Sequence, residues 1–268
     1  MLPFVEPIGA GLDHTAYLVN GEVVVRFSRD SSDGRAEARL LELVAGVSPV
    51  PVPRPVFVDA GCLAYRWLPG VPLLSVAPPA GVARRLGELL AALQAVPRER
   101  VMGVVEVDDT PPAEWLTEAM EVWPTVAGHV PEAHRPAVEA FLAEAAPAPA
   151  TRLAFSHQDL GAEHVLVDPG SGTITGVVDW SDAAVGDPAR DFGLILRDLG
   201  PEALTEALTD ALPESFPSGS DEFRLRATFY ARCGLLADLA YGVETGRRQY
   251  VTKSVAGLSW LFPASPLS

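Results

Sequence analysis

Short apolar runs separated by turn residues occupy the first part of the chain, and longer apolar stripes at helical spacing follow. Phe4 to Ile8 and Ala16 to Val19 read as strands, joined by the turn-rich stretch Gly9-Ala10-Gly11-Leu12-Asp13-His14-Thr15. Asn20-Gly21 is a strong hairpin signal, and Val23 to Phe27 is the return strand. Gly34 to Val47 carries Ala36, Leu40, Leu43, Val44 and Val47 on one helical face. The prolines from Pro49 to Pro55 exclude helix and hold that segment extended. From Ala80, Val82, Leu86, Leu89, Leu90 and Leu93 form an apolar stripe opposite Arg84, Arg85 and Glu88. Further helices are expected over Ala113 to about Val122 and from Pro131 through Ala145. Beyond Asp191, the pattern predicts helices around Phe192–Leu199, Glu202–Leu212, Asp221–Glu244 and Gln249–Leu261. These stripes are core. No internal repeat or low-complexity segment interrupts them.

The stretch from Leu153 to Leu194 breaks this helical rhythm. Leu153-Ala154-Phe155 reads as a strand entering His157-Gln158-Asp159, and Val165-Leu166-Val167 as a second. The turn Pro169-Gly170-Ser171-Gly172 leads to a third strand, Ile174 to Val178, closed by Asp179. Two loops therefore deliver polar groups from neighbouring strand ends, Asp159 and His164 from one and Asp179 from the other. A carboxylate that takes a hydroxyl proton, followed some twenty residues later by one that holds a metal, is what phosphoryl transfer requires.

HxDxxxxH, a hairpin, an Asp and the run Gly186-Asp187-Pro188-Ala189-Arg190-Asp191 resemble the aminoglycoside phosphotransferase family, relatives of the protein kinases. The stretches GAGLDHTAYLVNG and AYRWLPGVPL carry the resemblance across nearly the whole chain. It implies an α+β, protein-kinase-like fold of two lobes. Residues 1–68 would form a small β-rich nucleotide-binding lobe, and residues 69–268 a larger, mostly helical lobe with the catalytic, metal and substrate sites. Asp159 is the implied catalytic base. Asp179 would bind Mg2+, with His164 either a second ligand, where the pattern usually has Asn, or a brace for the Asp159 loop. His157, Asp187 and Asp191 would brace the same loop.

The resemblance also places ATP or GTP against the small lobe. Gly9 and Gly11 would let the backbone approach the phosphates. Arg26 stands where the kinase pattern has a phosphate-binding lysine; the single lysine is Lys253, far from that strand. Glu37, opening its helix, would be the partner of Arg26. The Arg66 carbonyl and the Leu68 amide would bond the base, and Tyr65 would lie behind it. Only seven residues separate Asp179 from Asp187, too few for a peptide-docking activation segment, which disfavours a protein kinase.

Composition adds bounds. With 48% hydrophobic and 21% charged residues, the 268-residue chain is globular and can bury a full core. Cys62 and Cys233 match no metal spacing, no secretion signal or membrane-length apolar run is visible, and a cytoplasmic chain is expected. Through residue 70 the chain has six Lys/Arg against eight Asp/Glu, and the remainder fourteen against twenty-seven. That acidic excess argues against nucleic acid and favours a cationic ligand. Because the GAGLDHTAYLVNG and AYRWLPGVPL stretches resemble the aminoglycoside group, that resemblance implies an aminoglycoside hydroxyl as the leading acceptor. A macrolide, a choline-like or homoserine-like alcohol, and a non-catalytic nucleotide-binding module are the alternatives. Asp182, Asp238 and Glu244 are the candidate substrate acids; Asp238 and Glu244 are six apart on one helix and point to different faces. The sequence sets no oligomeric state.

Overall fold

The computed structural model describes residues 4–10, 14–28, 34–209 and 221–264. Strands β1 (Val5–Ala10), β2 (His14–Val19) and β3 (Val23–Ser28) form a meander. Asn20 and Gly21 both take positive φ, 53° and 70°, the tight turn that Asn-Gly favours. Helix α1 (Gly34–Ala45), β4 (Pro55–Asp59) and β5 (Cys62–Arg66) complete this part. The sheet order is β1-β2-β3-β5-β4, with every described pairing antiparallel. Helix α1 packs against β4 and β5 and buries Leu40, Leu41 and Val44.

Short β6 (Val71–Pro72) leads to α2 (Val82–Gln94), α3 (Arg98–Val101), α4 (Pro112–Val126) and α5 (Arg135–Leu142). Leu86, Leu89, Leu90 and Leu93 on α2 are at most 2% exposed, each contributing about 1.5–3 kcal/mol by burial. The helix expected to end near Val122 continues to Val126 in α4, with Pro124 inside its last turn at the loss of one backbone hydrogen bond. The helix expected from Pro131 is shortened: a 3-10 turn at Glu132–His134 precedes α5.

Strands β7 (Ala154–Ser156), β8 (Val165–Val167), β9 (Ile174–Val177) and β10 (Ala184–Gly186) carry the polar loops. β6, β8 and β9 form one small sheet, and β10 pairs with β7. The exit from β5 meets this sheet closely at Gly70. Its φ is +116°, and a Cβ there would lie 2.7 Å from the Val167 carbonyl and collide with Thr175. Helices α6 (Ala189–Leu199), α7 (Pro201–Thr209), α8 (Asp221–Thr245) and α9 (Arg248–Leu261) close the body, with α6 packed on α8 and α8 on α9. The expected end of α7 at Leu212 lies outside the described residues. Among the described residues, no helix is long and apolar enough to cross a membrane.

Candidate active site

The β8–β9 hairpin sets the geometry. Val165 pairs with Val177, and the Val178 amide donates to the His164 carbonyl at 2.9 Å, so both loops leave the same end of the hairpin. His164 lies between them. Its Nδ1 is 2.8 Å from the Asp159 carbonyl and 3.3 Å from Asp159 Oδ2, and its Nε2 is 3.6 Å from Asp179 Oδ2. A carbonyl only accepts, so Nδ1 carries a proton and Nε2 faces the Asp179 carboxylate. Burial works against a charged His164, but Asp159, its carbonyl, Asp179 and Glu163 together raise the pKa above the ordinary value. Burial likewise opposes ionisation of Asp179, yet His164, a 2.9 Å hydrogen bond from Ser181 and Arg26 hold it below the usual carboxylate value.

The first loop is fastened from below. Asp191, fully buried on α6, accepts from the Ser156 hydroxyl, from the Gln158 amide at 3.0 Å and from the Leu160 amide at 3.1 Å. Gln158 is thereby held at φ 67°, and Asp179 stands at φ 64°. Both are non-glycine residues in a conformation that persists only where the surroundings enforce it. His157 is fully buried against Trp180. The Asp159 amide donates to its Nδ1 at 3.3 Å, and its Nε2 meets the Val178 carbonyl at 3.1 Å. One neutral tautomer satisfies both contacts, and burial lowers the His157 pKa accordingly. Asp187 ties the start of α6 to α8, bonding the Ala189 amide at 2.9 Å, Arg226 at 2.8 Å and Tyr230 at 3.2 Å.

On the small sheet, Arg26 Nη1 lies 2.5 Å from Glu37 Oε1. Tyr65 is buried beside this pair; its hydroxyl pKa is raised by burial, with a hydrogen bond from Arg26 opposing the rise. A cavity of about 480 Å³ opens next to Arg26 and Glu37, reaching Cys62, Glu106 and Asp182. Arg66 ends β5, and the Trp67 amide bonds the Glu22 carbonyl at 2.8 Å. Leu68 packs over Gly176 of β9. Gly9 lies within β1, whereas Gly11 lies outside the described residues.

The substrate acids separate. Asp182 is exposed beside Asp159 and Asp179; partial desolvation of its carboxyl by the protein around it and those two charges raise its pKa. Glu244 is exposed near the end of α8. Asp238 is instead engaged by cations of this chain. Its Oδ2 is 2.9 Å from Arg197 and 2.8 Å from Lys253, close ion pairs without hydrogen-bond angles.

Two further groups have no role in the sequence reading, Arg190 within the run of residues 186–191 and Asp198 beyond it. Arg190 joins Asp108 at 3.0 Å and Gln158 at 3.3 Å and stacks 4.3 Å from the Trp115 ring. Asp198 accepts the Ala162 amide at 2.8 Å. Asp191 and Asp198 are seven apart, two helical turns, so both face the loop; that spacing is the sequence signal for the second anchor.

This is the architecture of the kinase-like phosphotransferases. The sequence pattern of the Phosphotransferase enzyme family matches residues 5–225, and the chain belongs to that family. Viomycin phosphotransferase of Streptomyces vinaceus is 32% identical over 149 residues. That alignment covers 53% of this chain and 52% of the relative, so the chain spans about half the length of that curated protein. The GDP complex of wild-type aminoglycoside 2'-phosphotransferase-IIIa shares the fold at a TM-score of 0.70 and 22% identity, over 96% of this chain and 91% of that one. Macrolide 2'-phosphotransferase MphH from Brachybacterium faecium matches at 0.60 and 26%, over 98% and 93%.

Proposed function

We propose that this chain is an antibiotic phosphotransferase that moves the γ-phosphate of ATP or GTP onto an acceptor hydroxyl. The observation that carries the reading is the convergence of Asp159 and Asp179 on His164, on the body that faces the Arg26–Glu37 pair. The nucleotide would lie between the lobe of residues 1–68 and the rest of the chain, with its base along Arg66 and Leu68 in front of Tyr65. Arg26, held by Glu37, would grip phosphate oxygens bidentately. Asp159 would orient the acceptor hydroxyl and take its proton as the new P–O bond forms.

Among the described residues, no three His, Cys, Asp or Glu side chains converge as a metal cage. This donor set suits Mg2+, which keeps water and substrate phosphates and needs only one or two protein ligands. Asp179 would be the principal ligand; His164 would be a second through Nε2 only when that nitrogen is unprotonated, and otherwise braces the loop through its Nδ1 bond to the Asp159 carbonyl. When bound, Mg2+ would neutralise charge on the phosphates.

For the acceptor, the acidic excess and the aminoglycoside phosphotransferase fold support an aminoglycoside, with Asp182 beside the reacting hydroxyl. A second reading, a macrolide, gains from the macrolide relative and from the engagement of Asp238 by Arg197 and Lys253. A coupled nucleotide-turnover assay over an antibiotic panel, run with ATP and GTP, tests both. An aminoglycoside should be turned over with a KM that rises with ionic strength, because salt screens attraction between a polycation and exposed acids. A best substrate without several amines, or a KM flat in salt, rejects the aminoglycoside; no turnover with any member rejects the antibiotic reading.

A further inference from the structure

A buried ion network beneath the Asp159–His164 loop has no part in the chemistry described above. The Glu163 side chain folds back under the loop, so that a Cβ on Gly161 would lie 2.7 Å from Glu163 Oε2. Lys253 on α9 donates to both Glu163 oxygens, at 3.0 and 2.8 Å. The same ammonium is 2.8 Å from Asp238 Oδ2 on α8 and 3.6 Å from Asp198 Oδ1 on α6. Arg197 bonds both oxygens of Asp198, at 2.7 and 2.9 Å, and Asp198 in turn accepts the Ala162 amide. Two cations thus join three carboxylates from the loop, α6 and α8, and none of the five side chains is more than 16% exposed.

We propose that Lys253, the chain's single lysine, is a positioning residue that fixes the Asp159–His164 loop through Glu163. The residue type suits the task. An ammonium is a compact charge with three rotatable donors, and here three carboxylates approach it from different elements. Glu163 immediately precedes His164, whose Nδ1 bonds the Asp159 carbonyl. Moving the Glu163 carboxylate therefore moves the ring that spans Asp159 and Asp179. Asp191 anchors the loop at residues 158 and 160, while Asp198 and Lys253 anchor it at 162 and 163. With only the first anchor, the loop would be fixed around Asp159 but not at its far end, beside His164.

The proposal rests on the phosphotransferase reading, and its test separates the two. Lys253→Met, Glu163→Gln and the double variant are compared with wild type, well below each unfolding temperature. Each single change should lower kcat at least tenfold while nucleotide KM stays within about threefold. The double variant should be no worse than the worse single, since both changes cut one link. Hydrogen exchange in the nucleotide-free protein should quicken at least tenfold for the amides of residues 160–164 and stay unchanged in α2. If Lys253→Met fails to fold, Glu163→Gln decides, because it leaves Lys253 paired with Asp238 and Asp198. A kcat within twofold of wild type, losses that multiply in the double variant, or unchanged loop exchange would overturn the proposal. Should the wild type phosphorylate no acceptor, the functional reading fails, and exchange alone tests the anchor.

Discussion

Replacing Asp191 by Asn tests how the catalytic loop is held. The carboxylate accepts three hydrogen bonds, from the Ser156 hydroxyl and from the Gln158 and Leu160 amides, in a site closed to water. Asn keeps one oxygen and turns the other into a donor. If the oxygen remains with Ser156 and Gln158, the NH2 group faces the Leu160 N–H; if it flips, it faces the Gln158 N–H. Either way one buried backbone donor loses its acceptor, at about 1–3 kcal/mol, and the remaining bonds lose their charge assistance. The combined loss is about 3 kcal/mol, which lowers Tm by roughly 6–12 °C for a chain of this size. The charged acceptor that enforces the positive φ of Gln158 is weakened in one rotamer and lost in the other, so kcat should fall at least tenfold. Thermal unfolding followed by circular dichroism, with turnover measured well below Tm, checks both effects. A Tm within about 2 °C of wild type with unchanged kcat would refute the reasoning.

Arg26→Ala should weaken nucleotide binding at least tenfold while Arg26→Lys retains much of it, read by calorimetry with a non-hydrolysable nucleotide; unchanged affinity in the Ala variant removes Arg26 from the site. Acid stability should depend on Asp198, where burial opposes ionisation but Arg197, Lys253 and the Ala162 amide hold the pKa at about 2 against an ordinary 3.8. A lowered folded-state pKa stabilises above the unfolded value, so about 2 kcal/mol should be lost as pH falls from about 4 toward 2. Denaturant titrations of wild type and Asp198→Asn across that range should diverge at pH 5 and converge near pH 2; parallel curves would contradict this.

The hairpin and stripe patterns made most elements legible, because alternation and helical spacing are local properties. Asn20-Gly21 marked its turn, and Leu86 to Leu93 marked the buried face of α2. β10 was not legible: Ala184-Val185-Gly186 is too short to show a period, and it is a strand because Val185 lies opposite Phe155 of β7. The site divides in the same way. Asp159, His164 and Asp179 lie within twenty-one residues and are joined by one hairpin, so their convergence could be read from the chain. Lys253 reaches Glu163 from ninety residues away, and Arg190 reaches Asp108 from eighty-two. Such contacts depend on helix packing, which no local pattern encodes. Asp238 shows the consequence: its position on α8 was readable, but the two cations facing it were not.

The central claim, that Asp159 accepts the acceptor's proton during phosphoryl transfer, is tested most directly by single-turnover transfer from radiolabelled nucleotide in Asp159→Asn. The account predicts nucleotide affinity within about threefold of wild type and a transfer rate lower by roughly 10²–10⁴-fold on the best substrate of the panel. Transfer at a rate near that of wild type would contradict it.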